Sequence, residues 1–157
     1  MKTCLLFFLC SSIGFTIPAA IAQVPTFKTY RVNMYNGPQA KLIIKGNPLA
    51  EMYQTTIKET YYSKARMNRR GVPTGLNFAG HYCFLWWGCG SDCQHAALVD
   101  VKTGRVYDGP TAARLFKFER WSRLVIVNRP EYKNDCAMCA TEYWVWNENK
   151  HRFNRKR

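Results

Sequence analysis

Phe78 to Trp87 carries mostly apolar side chains on both alternating faces. A strand of that kind needs cover on both sides, so the segment predicts a central strand inside a layered domain. It runs directly into Trp87-Gly88-Cys89-Gly90-Ser91-Asp92-Cys93-Gln94-His95, where three residues separate two cysteines. A disulfide-closed loop between strand-like segments is the simplest reading of that pattern.

Whether those cysteines oxidise depends on compartment. Lys2 gives a short positive start, Cys4 to Ile17 is uncharged and rich in Leu and Phe, and Ala20-Ile21-Ala22 fits a small-x-small cleavage site. These features predict a secretory signal over 1–22, with Gln23 as the mature start. The apolar run is too short to span a bilayer, and no later stretch reaches ~18 uninterrupted apolar residues. The expectation is therefore a periplasmic or secreted protein, not transmembrane once the signal is cleaved, with one globular domain over 23–157. The formal net charge is +13, one unit of which is Lys2, so +12 remains after cleavage. Such a charge bears on partners rather than on fold. In an envelope it points to acidic proteins or anionic glycans and lipids, and export argues against nucleic acid.

Of seven cysteines, Cys4 and Cys10 lie in the leader. Cys83, Cys89, Cys93, Cys136 and Cys139 remain, and an oxidising compartment favours disulfides among them. Local pairing, Cys89 with Cys93 and Cys136 with Cys139, is the first expectation; a cross-pair between the two clusters is the alternative, and spacing does not choose between them. Cys83 is expected to be a buried free thiol acting as a small apolar residue. The same four clustered cysteines have the ligand count of a structural zinc site. The compartment and the gap between the clusters argue against that, so neither metal nor cofactor is expected. Cys136-Ala137-Met138-Cys139 has thioredoxin-like spacing, but it leads into a strand-like run rather than a helix N-terminus, where a redox cysteine gains its low pKa.

Along the rest of the chain, Tyr30, Val32 and Met34 alternate with polar residues and predict a first strand; 41–45 predicts a second. Asn47 and Pro48 read as N-cap and first position of a helix carrying Leu49, Met52, Tyr53, Ile57 and Tyr61 on its core face, with Gly71 as C-cap. Ala96 to Val101 and Arg105 to Tyr107 flank a Lys102-Thr103-Gly104 turn, closed by Asp108-Gly109-Pro110. Leu115 to Glu119, Leu124 to Val127, Tyr143 to Trp146 and a segment around Phe153 read as further strands, before a frayed tail of Arg155, Lys156 and Arg157. The sum is an α+β domain: an antiparallel meandering sheet with one main amphipathic helix packed on it.

Signs of catalysis are sparse. His81 and Cys83 share a strand face, but an i, i+2 strand pair is roughly 6–7 Å apart, too far for direct proton transfer. His95 lies just outside the cysteine loop, within possible reach of Asp92. No phosphate loop, nucleophile elbow or zinc helix occurs. A thiol enzyme or redox protein using Cys136 and Cys139 is the enzymatic alternative. The basic groups at 58–70, 114–123 and 150–157, interleaved with Trp121 and Phe153, support a second alternative: an envelope-surface binder of anionic glycan or lipid.

The pattern Asn77-Phe78-Ala79-Gly80-His81-Tyr82, then Trp87-Gly88-Cys89-Gly90, Cys93 and Val99-Asp100-Val101-Lys102-Thr103-Gly104-Arg105-Val106-Tyr107 resembles a group of small exported bacterial proteins of unassigned activity. A weaker likeness is to the Ivy-type periplasmic inhibitors of vertebrate lysozyme. They combine a helix, an antiparallel sheet and a short disulfide loop that enters the enzyme's cleft. That likeness implies a protruding recognition loop, with Cys89, Cys93 and Asp92 in matching places. The histidine of that family's loop has no counterpart in Gly90-Ser91-Asp92, and a +12 chain would be repelled by a basic lysozyme. The expected function is thus a non-enzymatic binding protein, an inhibitor or immunity-type protein. Gly90, Ser91 and Asp92 form its contact tip, with His95, His81 and Trp87 nearby.

Overall fold

The computed structural model describes residues 23–69, 71–131, 136 and 139–156; the predicted signal lies outside them. The chain is α+β, and its strands are antiparallel. They divide between two sheets. β1 (Tyr82–Gly90), β2 (Cys93–Asp100) and β3 (Val106–Ala112) form the first in the order β1-β2-β3. β4 (Phe116–Phe118), β5 (Leu124–Val127), β6 (Glu142–Asn147) and β7 (Arg152–Lys156) form the second in sequence order.

Side-chain parity in β1 explains the layering. Cys83, Leu85 and Trp87 face the helix, packing with Ala50, Ile57 and Tyr61. Tyr82 and Phe84 face the four-stranded sheet, packing with Phe116, Val125, Val127 and Trp146. The three-stranded sheet is therefore the middle layer, as the two-sided apolar pattern requires. By hydrogen-bonding order, however, β1 is an edge strand. Its faces are covered while its edge is not fully paired, a distinction that hydrophobicity cannot register.

The helix forms in two pieces, α1 (Pro48–Met52) and α2 (Gln54–Tyr62). The Asn47 side chain accepts from the Ala50 amide at 3.0 Å, so the N-cap is as expected. Tyr53 leaves helical geometry (φ −111°, ψ 23°) and stacks on Trp87, ring centroids 4.1 Å apart. Met52, expected on the core face, is 73% exposed. Gly71 is not the C-cap: α2 ends at Tyr62, because Ser63 to Arg66 offers no large apolar side chain to bury, and Ala65 is exposed. Asn68 then clamps the following turn, donating to Thr60 Oγ1 at 2.9 Å and accepting from the Val72 amide at 3.0 Å.

Two expected strands are absent. Lys28–Tyr30 is a 3-10 turn, and Arg31 makes a single bridge to Ser122. The 41–45 segment is irregular, held by isolated bonds such as Ile43 N–H to Gly104 O at 2.9 Å. The alternation over 30–34 reflects half-burial of a docked segment, not a ladder. β3 also runs through Asp108-Gly109-Pro110 instead of turning; Pro110 is tolerated because β3 is an edge strand. The C-terminal tail is not frayed within the described residues, since Arg155 and Lys156 pair with Trp144 and Tyr143.

Candidate functional site

β1 and β2 continue past the core as a hairpin. Their register shifts between Gly88 and Gly90, so Cys89 is an extra residue on the β1 side. That bulge brings Cys89 and Cys93 to a Cα separation of 5.1 Å, where they form a disulfide. Gly90 (φ 138°) and Asp92 (φ 50°) provide the positive dihedrals of the tip. Gly is insensitive to such values and Asp is among the residues that tolerate the left-handed region. Gly88 to Asp92 are all exposed, at the end of two strands that are otherwise largely buried.

Asp92 is held from outside the hairpin. Its Oδ1 accepts from Arg114 Nη1 at 2.8 Å. Arg114 is positioned in turn by Asn128, whose Oδ1 accepts from the Ala113 and Arg114 amides at 2.7 and 3.0 Å. Gln94 adds a tie, its Oε1 accepting from the Leu115 amide at 3.0 Å. These residues were not singled out by sequence: Arg114 is one cation in a basic run, and nothing local marks its contact with a residue 22 positions away. A cavity of about 350 Å³ lies against the hairpin, lined by Trp86, Trp87, Gly88, Asp92 and Arg114 among others.

The expected site residues do not form one group. Gly90, Ser91 and Asp92 share the tip. Trp87 lies under it, 6% exposed, with a buried Nε1 that has no hydrogen-bond partner among the described residues. His95 does not join Asp92. Its Nε2 lies 2.8 Å from Asp108 Oδ1 and its Nδ1 lies 3.1 Å from Thr111 Oγ1, so both ring nitrogens are engaged across β2 and β3. His81 is at the far end of β1, its Nε2 2.9 Å from Glu148 Oε1 and 3.8 Å from Asp100 Oδ1. Tyr82 Oη and Trp146 Nε1 also donate to Glu148, at 2.9 and 3.0 Å. Burial lowers the His81 pKa and outweighs the carboxylates that raise it.

Cys136 pairs with Cys139 at a Cα separation of 5.3 Å, ahead of β6. Cys83 is free and fully buried. Burial pushes its thiol up to about 12, so thiolate is absent at neutral pH and nucleophilic chemistry there is disfavoured. Among the described residues no cluster of His, Cys, Asp and Glu could hold a metal, and no helix is long and apolar enough to cross a membrane. Comparison with protein families, curated proteins and solved structures finds no match to this chain.

Proposed function

We propose that this chain is an exported, non-enzymatic binding protein, of the inhibitor or immunity type, that docks on a protein partner through its Cys89–Cys93 hairpin. The observation that carries this reading is the pairing of exposure with constraint at the tip. Asp92 is 64% exposed on its side chain, yet it is fixed by the disulfide, by the bulge and by Arg114. A recognition loop ordered before binding loses little conformational entropy on docking. The covalent closure also keeps the backbone in place when Asp92 trades Arg114 for a partner's donor.

A photocrosslinking residue at Ser91, with the same residue at exposed Lys45 as control, tests the reading in envelope extracts. A discrete adduct from position 91 alone, competed by unlabelled protein and weakened by Asp92→Asn, is the expected result. No adduct from 91, or the same adduct from 45, contradicts it. Asn is chosen because it removes the charge while tolerating the φ of 50°.

A second reading, an envelope-surface binder of anionic glycan or lipid, draws support from Lys58, Lys64, Arg66 and Arg69, all exposed along and beyond α2. Binding of that kind weakens steeply with salt and is indifferent to Asp92.

A further inference from the structure

We propose that the mature protein rests on anionic lipid bilayers through one face, with Ile43 as its apolar point of entry and Lys41, Lys45 and Lys58 at the level of the phosphates. The proposal rests on the envelope-surface reading and deepens it: the ligand is lipid rather than glycan, and one face meets it.

The 41–45 segment places an isoleucine where the fold does not bury one. Leu42 is buried in the core cluster beneath α2 and Ile44 is half-buried, while Lys41, Ile43 and Lys45 are exposed. The outward side of the segment therefore reads lysine, isoleucine, lysine, and Ile43 is 47% exposed between the two cations. The main chain beneath it is fastened on both sides. The Leu42 amide donates to Tyr62 Oη at 2.8 Å, and the next amide, that of Ile43, donates to Gly104 O at 2.9 Å. Just upstream, the Ala40 amide donates to Val101 O at 2.9 Å and Ala40 O accepts from Tyr61 Oη at 2.8 Å. A segment tied in this way loses little conformational entropy when a surface docks on it.

α2 extends the face. The Tyr62 hydroxyl reaches the Leu42 amide, so its ring, 49% exposed, lies beside the segment. Lys58 is one helical turn earlier on the same side of α2, and its Nζ donates to the neutral Gln54 Oε1 at 3.2 Å. Lys41 and Lys45 make no ion pair among the described residues. Two carboxylates are near in sequence. Glu51 turns onto the Gly46 amide, accepting at 2.8 Å, and Glu59 lies on the other flank of α2, lining a cavity with Ser63 and Arg69. A lone exposed isoleucine is ordinary on a protein surface. An isoleucine with a lysine two residues away on either side is a different arrangement. The lysine stems let the ammonium groups stay with phosphates while the apolar side chain enters the acyl boundary. An acidic glycan would satisfy the lysines and leave Ile43 in water, and a second copy of the chain would set lysine against lysine. An anionic bilayer satisfies both kinds of side chain, and a tyrosine suits its interface. The face lies at the Asp100 end of β2 and the disulfide tip at the Cys93 end, so the two do not compete.

The test is cosedimentation of the mature protein with vesicles of equal parts phosphatidylglycerol and phosphatidylcholine, against phosphatidylcholine alone. Binding to the anionic vesicles only is the expected result. Ile43→Ser should weaken it by about fivefold or more. Lys41→Gln with Lys45→Gln should weaken it by about tenfold or more. Lys117→Gln with Lys156→Gln removes equal charge from the four-stranded sheet and should change binding by less than about threefold. Ile43→Trp should strengthen binding, because tryptophan favours the bilayer interface; a gain cannot arise from misfolding, so this variant decides the matter if Ile43→Ser lowers the melting temperature. Anionic-vesicle binding that is equal in wild type, Ile43→Ser and Ile43→Trp overturns the assigned face and leaves the envelope-surface reading standing. Equal weakening by the two lysine pairs does the same. Binding to dextran sulfate but not to anionic vesicles overturns lipid as the ligand and leaves an anionic glycan in its place. Binding to neither removes both the inference and the reading beneath it.

Discussion

His81 lies between opposing influences, and their balance has a measurable sign. Glu148 and Asp100 favour the imidazolium, while burial and Lys102 oppose it, and the net effect is a pKa below the ordinary histidine value. The folded state thus takes up a proton less readily than the unfolded chain. Stability is fully present above the unfolded value of about 6.5 and is lost as pH falls through it. Melting temperatures between about pH 8 and pH 5 should therefore fall more for wild type than for His81→Gln. Equal slopes would place the titration elsewhere. Neither Glu148 nor Asp108 could be assigned to its histidine from sequence: His81 meets Glu148 through the β6–β7 turn, and His95 meets Asp108 across two strands. Spacing along the chain made Asp92 the nearer candidate for His95, and the third strand decided otherwise.

The β2–β3 hairpin shows how one backbone position can secure an element. Gly104 has φ 76°, and a Cβ there would sit 2.0 Å from Lys41 O. Gly104→Ala therefore combines a left-handed penalty with a clash against main chain, not against a yielding side chain. A loss of about 2 kcal/mol or more is expected, read as a lower denaturant midpoint; a loss under about 0.5 kcal/mol would mean that the 41–43 segment moves aside freely. This hairpin was legible because its turn residues and its apolar runs agree. The β1 run was legible as a covered strand for the same reason. The 30–34 run misled because alternation reports which side chains are half-buried, and a segment docked by isolated hydrogen bonds alternates as a ladder does; the 41–45 run misled because a short apolar run flanked by lysines serves a docked segment as well as a strand. The helix was legible in its cap and in its core face apart from Met52, which is exposed. Its end was not, because Gly71 satisfies a turn closed by Asn68, a contact that only folding creates. The tip residues were legible as a loop, whereas their anchors, Arg114, Asn128 and Gln94, were not.

The molecule as a whole is a three-layer body with a constrained hairpin at one end of its middle sheet and a large positive charge spread over it. Charge of that size acts on encounter more than on the final contact. Association with an acidic partner should slow by about tenfold between roughly 0.05 and 0.5 M salt, with dissociation changing less. A salt-independent association rate would remove the global field from the account. On the proposed reading recognition rests on the tip, whereas the packed core of the fold does not depend on Asp92. The Asp92–Arg114 pair is solvent-exposed and contributes between about 0 and 1 kcal/mol. The decisive measurement takes one preparation of Asp92→Asn and determines both its melting temperature and its Ser91 crosslink yield. A midpoint within about 3 °C of wild type with a large loss of crosslink is the predicted result. Loss of both together would make the hairpin a structural element, and retention of both would remove Asp92 from the contact.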